Sequence, residues 1–66
     1  MNLILNGRRK EVAGPVTLDK LIETFCTNKR HVIAEVNGTV IKDPRWPSVN
    51  IAEGDEIELV NFVGGG

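Results

Sequence analysis

The feature that most constrains the fold of this chain is a pair of Asn-Gly dipeptides, one on each side of a single helical segment. Asn and Gly both tolerate the positive φ that a two-residue hairpin turn requires. The first dipeptide, Asn6-Gly7, follows an apolar segment and predicts strands at about residues 2–5 and 10–13. Gly14-Pro15 then breaks the second strand. A β-hairpin is therefore predicted before the helix.

The second dipeptide, Asn37-Gly38, predicts another hairpin after the helix. Residues 32–37 alternate between apolar and polar, with the valines and the alanine directed inward and Glu35 directed outward. Residues 39–41 are predicted to form the return strand.

An amphipathic helix is predicted between the two hairpins. Thr17 is a candidate N-cap, and Asp19 stands in the first turn, where a carboxylate faces the positive end of the helix dipole. Asn28 and the basic residues 29–31 suit the C-terminal end of a helix. The apolar residues recur at i, i+3, i+4, i+7 and i+8, which predicts one apolar face: Leu18, Leu21, Ile22, Phe25 and Cys26.

Residues 42–50 contain two prolines, which exclude a long regular element from this segment. Trp46 stands between these prolines and is interpreted as a plug of the core. A turn at residues 53–55 precedes the last strand. This strand alternates from Glu56 onward and is predicted to continue to about Phe62.

These elements predict an α+β domain in which one helix packs across one face of a mixed sheet of four to five strands. The order is ββαββ with a final strand, or ββαβ with short pieces. We expect the last strand to lie beside the first. Residues 1–63 are assigned to this domain and residues 64–66 to a flexible glycine tail.

Length and composition limit how such a domain can be stabilised. A chain of 66 residues buries only about 60% of its unfolded surface. Cys26 is the only cysteine and His31 the only histidine, so the sequence offers neither an internal disulfide nor a Cys/His metal site. The apolar core is therefore expected to hold the fold by itself.

The charge distribution argues against nucleic acid and membrane as partners. The formal net charge is -1, and the only basic run, residues 8–10, is too short for a nucleic-acid footprint. We interpret this run as the solvated tip of the first hairpin. No apolar stretch suits a membrane span, and no export signal is visible. With one unpaired cysteine, the absence of an export signal predicts a cytoplasmic protein. We also expect the chain to be monomeric when it is alone.

No side chain stands out as a catalytic group. Cys26 is interpreted as a small buried hydrophobe, because no base lies near it in sequence. His31 is a candidate helix cap or surface group. The sequence contains no Ser/His/Asp set, metal cluster or phosphate-binding loop.

Three glycines, Gly64 to Gly66, follow directly after the last predicted strand. Glycine has no side chain to pack and loses the most backbone entropy on ordering, so stability alone does not account for them. They suit a carboxylate that must enter a narrow site in another protein. Three extended residues reach at most about 10 Å. A frayed end without function is the simpler alternative.

The order of these motifs resembles the β-grasp, or ubiquitin-like, superfamily, and within it the ThiS family of sulfur carriers. The resemblance covers essentially the whole chain. One departure is Gly64, where members of the family often carry a small or apolar residue. The matching segments are Asn6-Gly7, Thr17-Leu18, residues 34–38, Trp46, residues 54–59 and Gly65-Gly66.

The resemblance implies a carrier that binds no cofactor and is not an enzyme. A ThiF-type adenylating enzyme would use ATP and Mg to convert the carboxylate of Gly66 to an acyl-adenylate. Sulfur from a donor such as a cysteine desulfurase would then give a thiocarboxylate, which a ThiG-type thiazole synthase would use for the thiazole ring of thiamine. Gly64 and Gly65 would lie in the channel of the partner.

Alternation in the last strand predicts the surface that these partners contact. We expect Ile57 and Leu59 to face the helix, and the residues between and beyond them to face outward. Exposed apolar residues on neighbouring strands commonly mark an interface. In the alternative, Phe62 folds back to cap the core. The predicted partner-binding patch, with negative charge at its border, is Ile4, Glu58, Val60 and Phe62.

Other functions stay open at this level. A carrier with the same chemistry would serve molybdopterin synthesis or tRNA thiolation, although molybdopterin carriers tend to be longer. A ubiquitin-like modifier would join the carboxylate of Gly66 to lysine side chains. A small regulatory domain with an inert tail would keep its function without Gly65 and Gly66.

Overall fold

The computed structural model describes residues 1–26 and 29–61. Within these residues, one α-helix lies against a five-stranded sheet, so the predicted α+β architecture is confirmed. Two short 3-10 helices occupy Lys29–His31 and Asp43–Ser48. The main elements are β1 (Asn2–Leu5), β2 (Arg8–Glu11), α1 (Leu18–Phe25), β3 (Val32–Val36), β4 (Thr39–Ile41) and β5 (Glu56–Asn61).

The last strand, β5, occupies the centre of the sheet, whose order is β2-β1-β5-β3-β4. It pairs in parallel with β1, where Leu5 lies beside Ile57, and antiparallel with β3, where Ala34 lies opposite Leu59. The prediction that the last strand lies beside the first is therefore confirmed. The strand that precedes the glycines in sequence is held from both sides.

Both Asn-Gly turns form as predicted. Asn6 and Asn37 have φ of 50° and 51°, in the left-handed region that the short turn requires. Because two residues complete each turn, the first return strand runs over Arg8–Glu11 and not over residues 10–13. The interpretation of residues 8–10 as a hairpin tip is wrong. They lie in an exposed edge strand, where charged side chains oppose pairing with another sheet.

The helix α1 begins after Thr17, the predicted N-cap. The Thr17 hydroxyl donates to the carboxylate of Asp19 and does not cap a helix N–H. Phe25 is 39% exposed, so it does not share the burial of the apolar face, and Lys10 Nζ lies 5.7 Å from its ring centroid. The buried residues of the helix are Leu18, Leu21 and Ile22.

The helix ends earlier than the apolar spacing predicts. Cys26 is the C-cap, with extended backbone, and its N–H donates to the carbonyl oxygen of Ile22 at 2.8 Å. The basic residues predicted at the helix end form the separate 3-10 helix Lys29–His31. Asn28, which we also assigned to the helix end, lies outside the described residues.

The core lies between α1 and the inner face of the sheet, and the segment after β4 closes one side of it. Trp46, in the 3-10 helix Asp43–Ser48, is 5% exposed, and its indole N–H donates to the carbonyl oxygen of Ile41 at 2.9 Å. The interpretation of Trp46 as a core plug is confirmed. The buried cluster consists of Leu3, Leu5, Leu18, Leu21, Ile22, Ala34, Trp46, Ile51, Ile57 and Leu59.

Candidate functional site

The face of the sheet that points away from α1 is the candidate docking surface, termed the outer face. The alternation predicted for β5 is confirmed, since Ile57 and Leu59 are buried and Glu58 and Val60 are exposed. Register and alternation define the outer face as Asn2, Ile4, Arg9, Glu11, Ile33, Glu35, Val40, Glu56, Glu58 and Val60.

Strand pairing groups the exposed apolar residues at one end of this face. Val60 lies opposite Ile33, Glu58 lies opposite Glu35, and Val40 flanks Glu35 on β4. The exposed fractions of Val60, Ile33 and Val40 are 51%, 44% and 57%. These three residues are termed the Val60 patch. It borders a pair of acidic residues that face each other across two strands.

Ile4 does not belong to the Val60 patch. Parallel pairing places Ile4 beside Glu56, and Val60 lies four residues further along β5. Four residues of strand span about 13 Å. The prediction that Ile4 and Val60 form one continuous patch is therefore wrong, and Ile33 and Val40 are the apolar neighbours of Val60. Whether Ile4 contacts a partner stays a prediction.

The sequence alone indicates that Ile33 and Val40 face outward. The two-residue turn sets the register of the second hairpin, so Val40 must share a face with Glu35. Alternation likewise turns Ile33 away from the core, because Ala34 points inward. Local patterns do not reveal that β3 lies beside β5, and this pairing joins Ile33 to Val60.

The two turn asparagines hold β5 from opposite sides. Asn6 Oδ1 accepts a hydrogen bond from the N–H of Leu59 at 2.8 Å, and Asn6 Nδ2 donates to the carbonyl oxygen of Leu59 at 3.2 Å. Asn37 Oδ1 accepts from the N–H of Glu56 at 2.9 Å, and its Nδ2 donates to the carboxylate of Asp55 at 3.0 Å. The side chain of Asn6 thus continues the pairing of β1 with β5 after the backbone has turned away.

We expect Asn6→Ala to lower the free energy of unfolding by about 2–3 kcal/mol, because two hydrogen bonds are lost and alanine tolerates positive φ less well than asparagine. Urea unfolding measures this loss. Asn6→Gly is the matched control, since it removes the same bonds but accepts the φ, and it should cost less. Equal stability of wild type and both variants would show that the two hydrogen bonds between Asn6 and Leu59 do not stabilise the fold.

Comparison with known proteins identifies the family. The ThiS family is matched over residues 3–66. The chain belongs to the ThiS family. The sulfur carrier protein ThiS of Bacillus subtilis (strain 168) is 36% identical over 50 residues, which make up 76% of each protein. The resemblance predicted from the motifs is confirmed.

Solved structures of the ThiS family have the same fold. The thiamine biosynthesis protein ThiS from Geobacter metallireducens superposes with a TM-score of 0.85 at 29% identity, and both chains are covered in full. Its solution structure gives a TM-score of 0.83, with this chain covered in full and 88% of that one. The β-grasp assignment is therefore confirmed.

Two other relatives match this chain over different shares of their length. A thiazole synthase of Paramagnetospirillum magneticum is 29% identical over all 66 residues, which are 20% of its own length. The chain therefore spans about a fifth of that relative. The protein ycf40 of Trieres chinensis, described as uncharacterized, is 29% identical over 62 residues and 85% of its length.

The reactive end expected of a ThiS-family member lies outside the described residues. The last described residue is Asn61, and Phe62, Gly64, Gly65 and Gly66 follow it in sequence. Their roles stay predictions. The described residues show the strand that precedes this end in sequence. It is the central strand β5, which Asn6 holds by two hydrogen bonds to Leu59.

Cys26, the thiol of this ThiS-family chain, is half-buried at the end of α1 and packs against the core cluster. Burial raises the pKa of the thiol, so the neutral form is favoured. A protonated thiol is a poor nucleophile. These features fit a packing role, although Cys26 is less buried than the sequence interpretation proposed.

We expect alkylation of Cys26 by iodoacetamide to titrate at higher pH in the folded chain than in urea, because burial disfavours the thiolate. The folded state holds the thiol proton more tightly. The Cys26 contribution to stability is therefore complete below the unfolded pKa and is lost as the pH rises toward the folded pKa. The pH profile of the alkylation rate tests this, with Cys26→Ser as the unreactive control. A folded profile at or below the unfolded one would contradict it.

Neither a metal site nor a membrane-spanning helix is present in the part of the chain that the structure describes. In residues 1–26 and 29–61, no group of three or more His, Cys, Asp or Glu side chains is placed to hold a metal ion. No helix in the same part of the chain has the length and apolar character needed to cross a membrane.

Proposed function

We propose that this chain is a sulfur carrier of thiamine biosynthesis that bears sulfur as a thiocarboxylate on Gly66. The observation that carries the proposal is the ThiS family match, which extends over residues 3–66 and so includes the terminal glycines. The Bacillus carrier and the Geobacter thiamine biosynthesis protein support the same pathway. The chain acts as a co-substrate, and the catalysis is performed by its partners.

The chemistry proposed for Gly66 requires activation by another protein. A free carboxylate resists nucleophilic attack because it is negatively charged. Adenylation by ATP would join the carboxylate to AMP and release pyrophosphate, and a sulfur nucleophile would then displace AMP. The last 20 residues contain no His, Lys or Arg that could neutralise the developing charge. The partner must therefore supply the cationic groups.

Three partners follow from this proposal. A ThiF-type enzyme uses ATP and Mg for the adenylation, a donor such as a cysteine desulfurase supplies sulfur, and a ThiG-type thiazole synthase consumes it. The Paramagnetospirillum thiazole synthase supports the last of these, because the whole of this chain aligns with a segment of that protein.

The outer face near the end of β5 is the proposed docking surface. The predicted residues Glu58 and Val60 lie there, and the Val60 patch adds Ile33 and Val40 to it. We assign residues 1–63 to the docking domain and residues 64–66 to a tail that threads the active site of the partner. Glycine suits such a channel because it has no β-carbon.

The test is the intact mass of the chain after incubation with ATP, Mg, a ThiF-type enzyme and a sulfur donor. We expect the mass gain of one oxygen-to-sulfur exchange, located at Gly66 by fragmentation and lost when a ThiG-type synthase and its substrates are added. The control is a chain that lacks Gly66. An unchanged mass would contradict the proposal, and branched Gly-Gly remnants on cellular lysines would indicate a protein modifier instead.

A further inference from the structure

Two carboxylates face each other in the middle of the outer face. Glu58 on β5 pairs directly with Glu35 on β3, and alternation places both on the same side of the sheet. Directly opposite residues of an antiparallel pair have β-carbons about 5 Å apart. Like charges at this spacing repel and destabilise the sheet. The repulsion between Glu35 and Glu58 therefore lowers the stability of the free chain.

No described side chain neutralises this pair. Neither Glu35 nor Glu58 forms an ion pair or a side-chain hydrogen bond with the side chains described in residues 1–26 and 30–60. Arg9 is the one base that the described strands place on the outer face, and it belongs to the row of Ile4 and Glu56 near the other end. Lys42, which follows β4 and lies beside Ile33 and Val40, forms no ion pair with either carboxylate. The described side chains thus leave the two carboxylates without a cationic partner.

The Val60 patch indicates that a protein surface covers this region. Val60 and Ile33 form the row next to the two carboxylates, and Val40 lies on the far side of Glu35. Exposed apolar residues grouped in this way mark an interface. A partner that covers them also removes water from Glu35 and Glu58. Burial of two unpaired charges is strongly unfavourable, so the covering surface must bring a positive charge.

We propose that the outer face binds an apolar surface of a partner protein that contains one basic side chain, and that this side chain bridges Glu35 and Glu58. Arginine fits best, since its planar guanidinium carries five donors and can bond two carboxylates at once. The inference rests on the proposed carrier function and specifies the chemistry of the partner's docking site.

A bridging cation gives the two carboxylates opposite effects in the free and bound chain. In the free chain, removal of either carboxylate ends the repulsion and raises stability. In the complex, the same change removes a charge-assisted hydrogen bond and lowers affinity. A glutamate with a purely structural role would lower both quantities when it is replaced.

The experiment compares Glu35→Gln, Glu58→Gln and the double variant with wild type. In urea unfolding, each single variant should raise the folding equilibrium constant by about two- to fivefold, and the double variant should add little more. In titrations with a ThiF-type enzyme and with a ThiG-type synthase, the single variants should raise Kd about tenfold or more. The effects on binding should be less than additive, because both carboxylates contact one cation.

Glu23→Gln is the matched control, because Glu23 is an exposed glutamate on α1, which lies on the side of the sheet opposite the outer face. The affinity of this control should stay close to that of wild type. The wild-type Kd should rise more steeply with NaCl concentration than the Kd of the double variant, because salt screens the attraction between the carboxylates and the cation. A loss of affinity of the single variants for either enzyme supports the bridge. Wild-type affinity in both single variants, or a joint loss of stability and affinity, would overturn it while the carrier function stands. If the wild type binds neither enzyme, the proposed function fails and the bridge fails with it.

Discussion

Gly65→Ala is expected to slow thiocarboxylate formation by at least about 100-fold, because a shift of about 1 Å in a reacting group can have this effect. The added β-carbon would meet the wall of a channel that accepts glycine, and it would hold the Gly66 carboxylate away from ATP. The time course of the oxygen-to-sulfur mass gain measures this rate. Urea unfolding should give the wild-type midpoint, since Gly65 follows the core strands in sequence.

Gly64→Ala is the matched control for this prediction. It makes the same chemical change one residue earlier, at the position where the resemblance implies a small or apolar residue and this chain has glycine. We expect it to keep activity close to that of wild type. Normal turnover of Gly65→Ala would reject the steric explanation, and an equal loss in both variants would show that the diglycine is not the segment that the channel selects.

Trp46→Ala is expected to lower the free energy of unfolding by about 3–5 kcal/mol. The side chain is 5% exposed, and its indole N–H bonds to the carbonyl oxygen of Ile41 at 2.9 Å, so alanine would leave both a cavity and an unpaired acceptor. A domain of 66 residues typically has about 3–10 kcal/mol of stability in total. The variant should therefore be largely unfolded or close to it under native conditions.

Far-UV circular dichroism in urea is the suitable measurement, because Trp46 is the only tryptophan and its fluorescence disappears in the variant. Trp46→Phe is the control. It keeps an aromatic ring in the cavity but leaves the Ile41 carbonyl without its donor, so it should cost clearly less than alanine. A loss below about 1 kcal/mol for Trp46→Ala would show that the segment after β4 adds little to the core.

The elements of this fold were predicted well wherever neighbouring residues decide the conformation. Asn6-Gly7 and Asn37-Gly38 have positive φ at both positions, so each hairpin forms where the sequence indicates. The return strand after Asn6-Gly7 was predicted two residues too late, because the turn itself uses only two residues. Phe25 keeps the helical spacing of the apolar face, but α1 ends there, and the ring reaches the surface beside Lys10.

In the candidate site, the pairing between strands decides which exposed residues become neighbours. Alternation correctly placed Val60 and Glu58 on the outer face. It also placed Ile4 there, but only the parallel register shows that Ile4 lies beside Glu56 and not beside Val60. The same alternation turns Ile33 outward, and only the pairing of β3 with β5 makes it a neighbour of Val60.

The sequence by itself determined the hairpins, the helix and the core role of Trp46. These depend on side-chain spacing and on turn conformations, which are set by residues close together in the chain. The tertiary structure decided that β5 lies between β1 and β3 and that Glu35 faces Glu58. Contacts of this kind join segments that are distant in sequence, and burial of the shared core selects them among the pairings that the strands would otherwise allow.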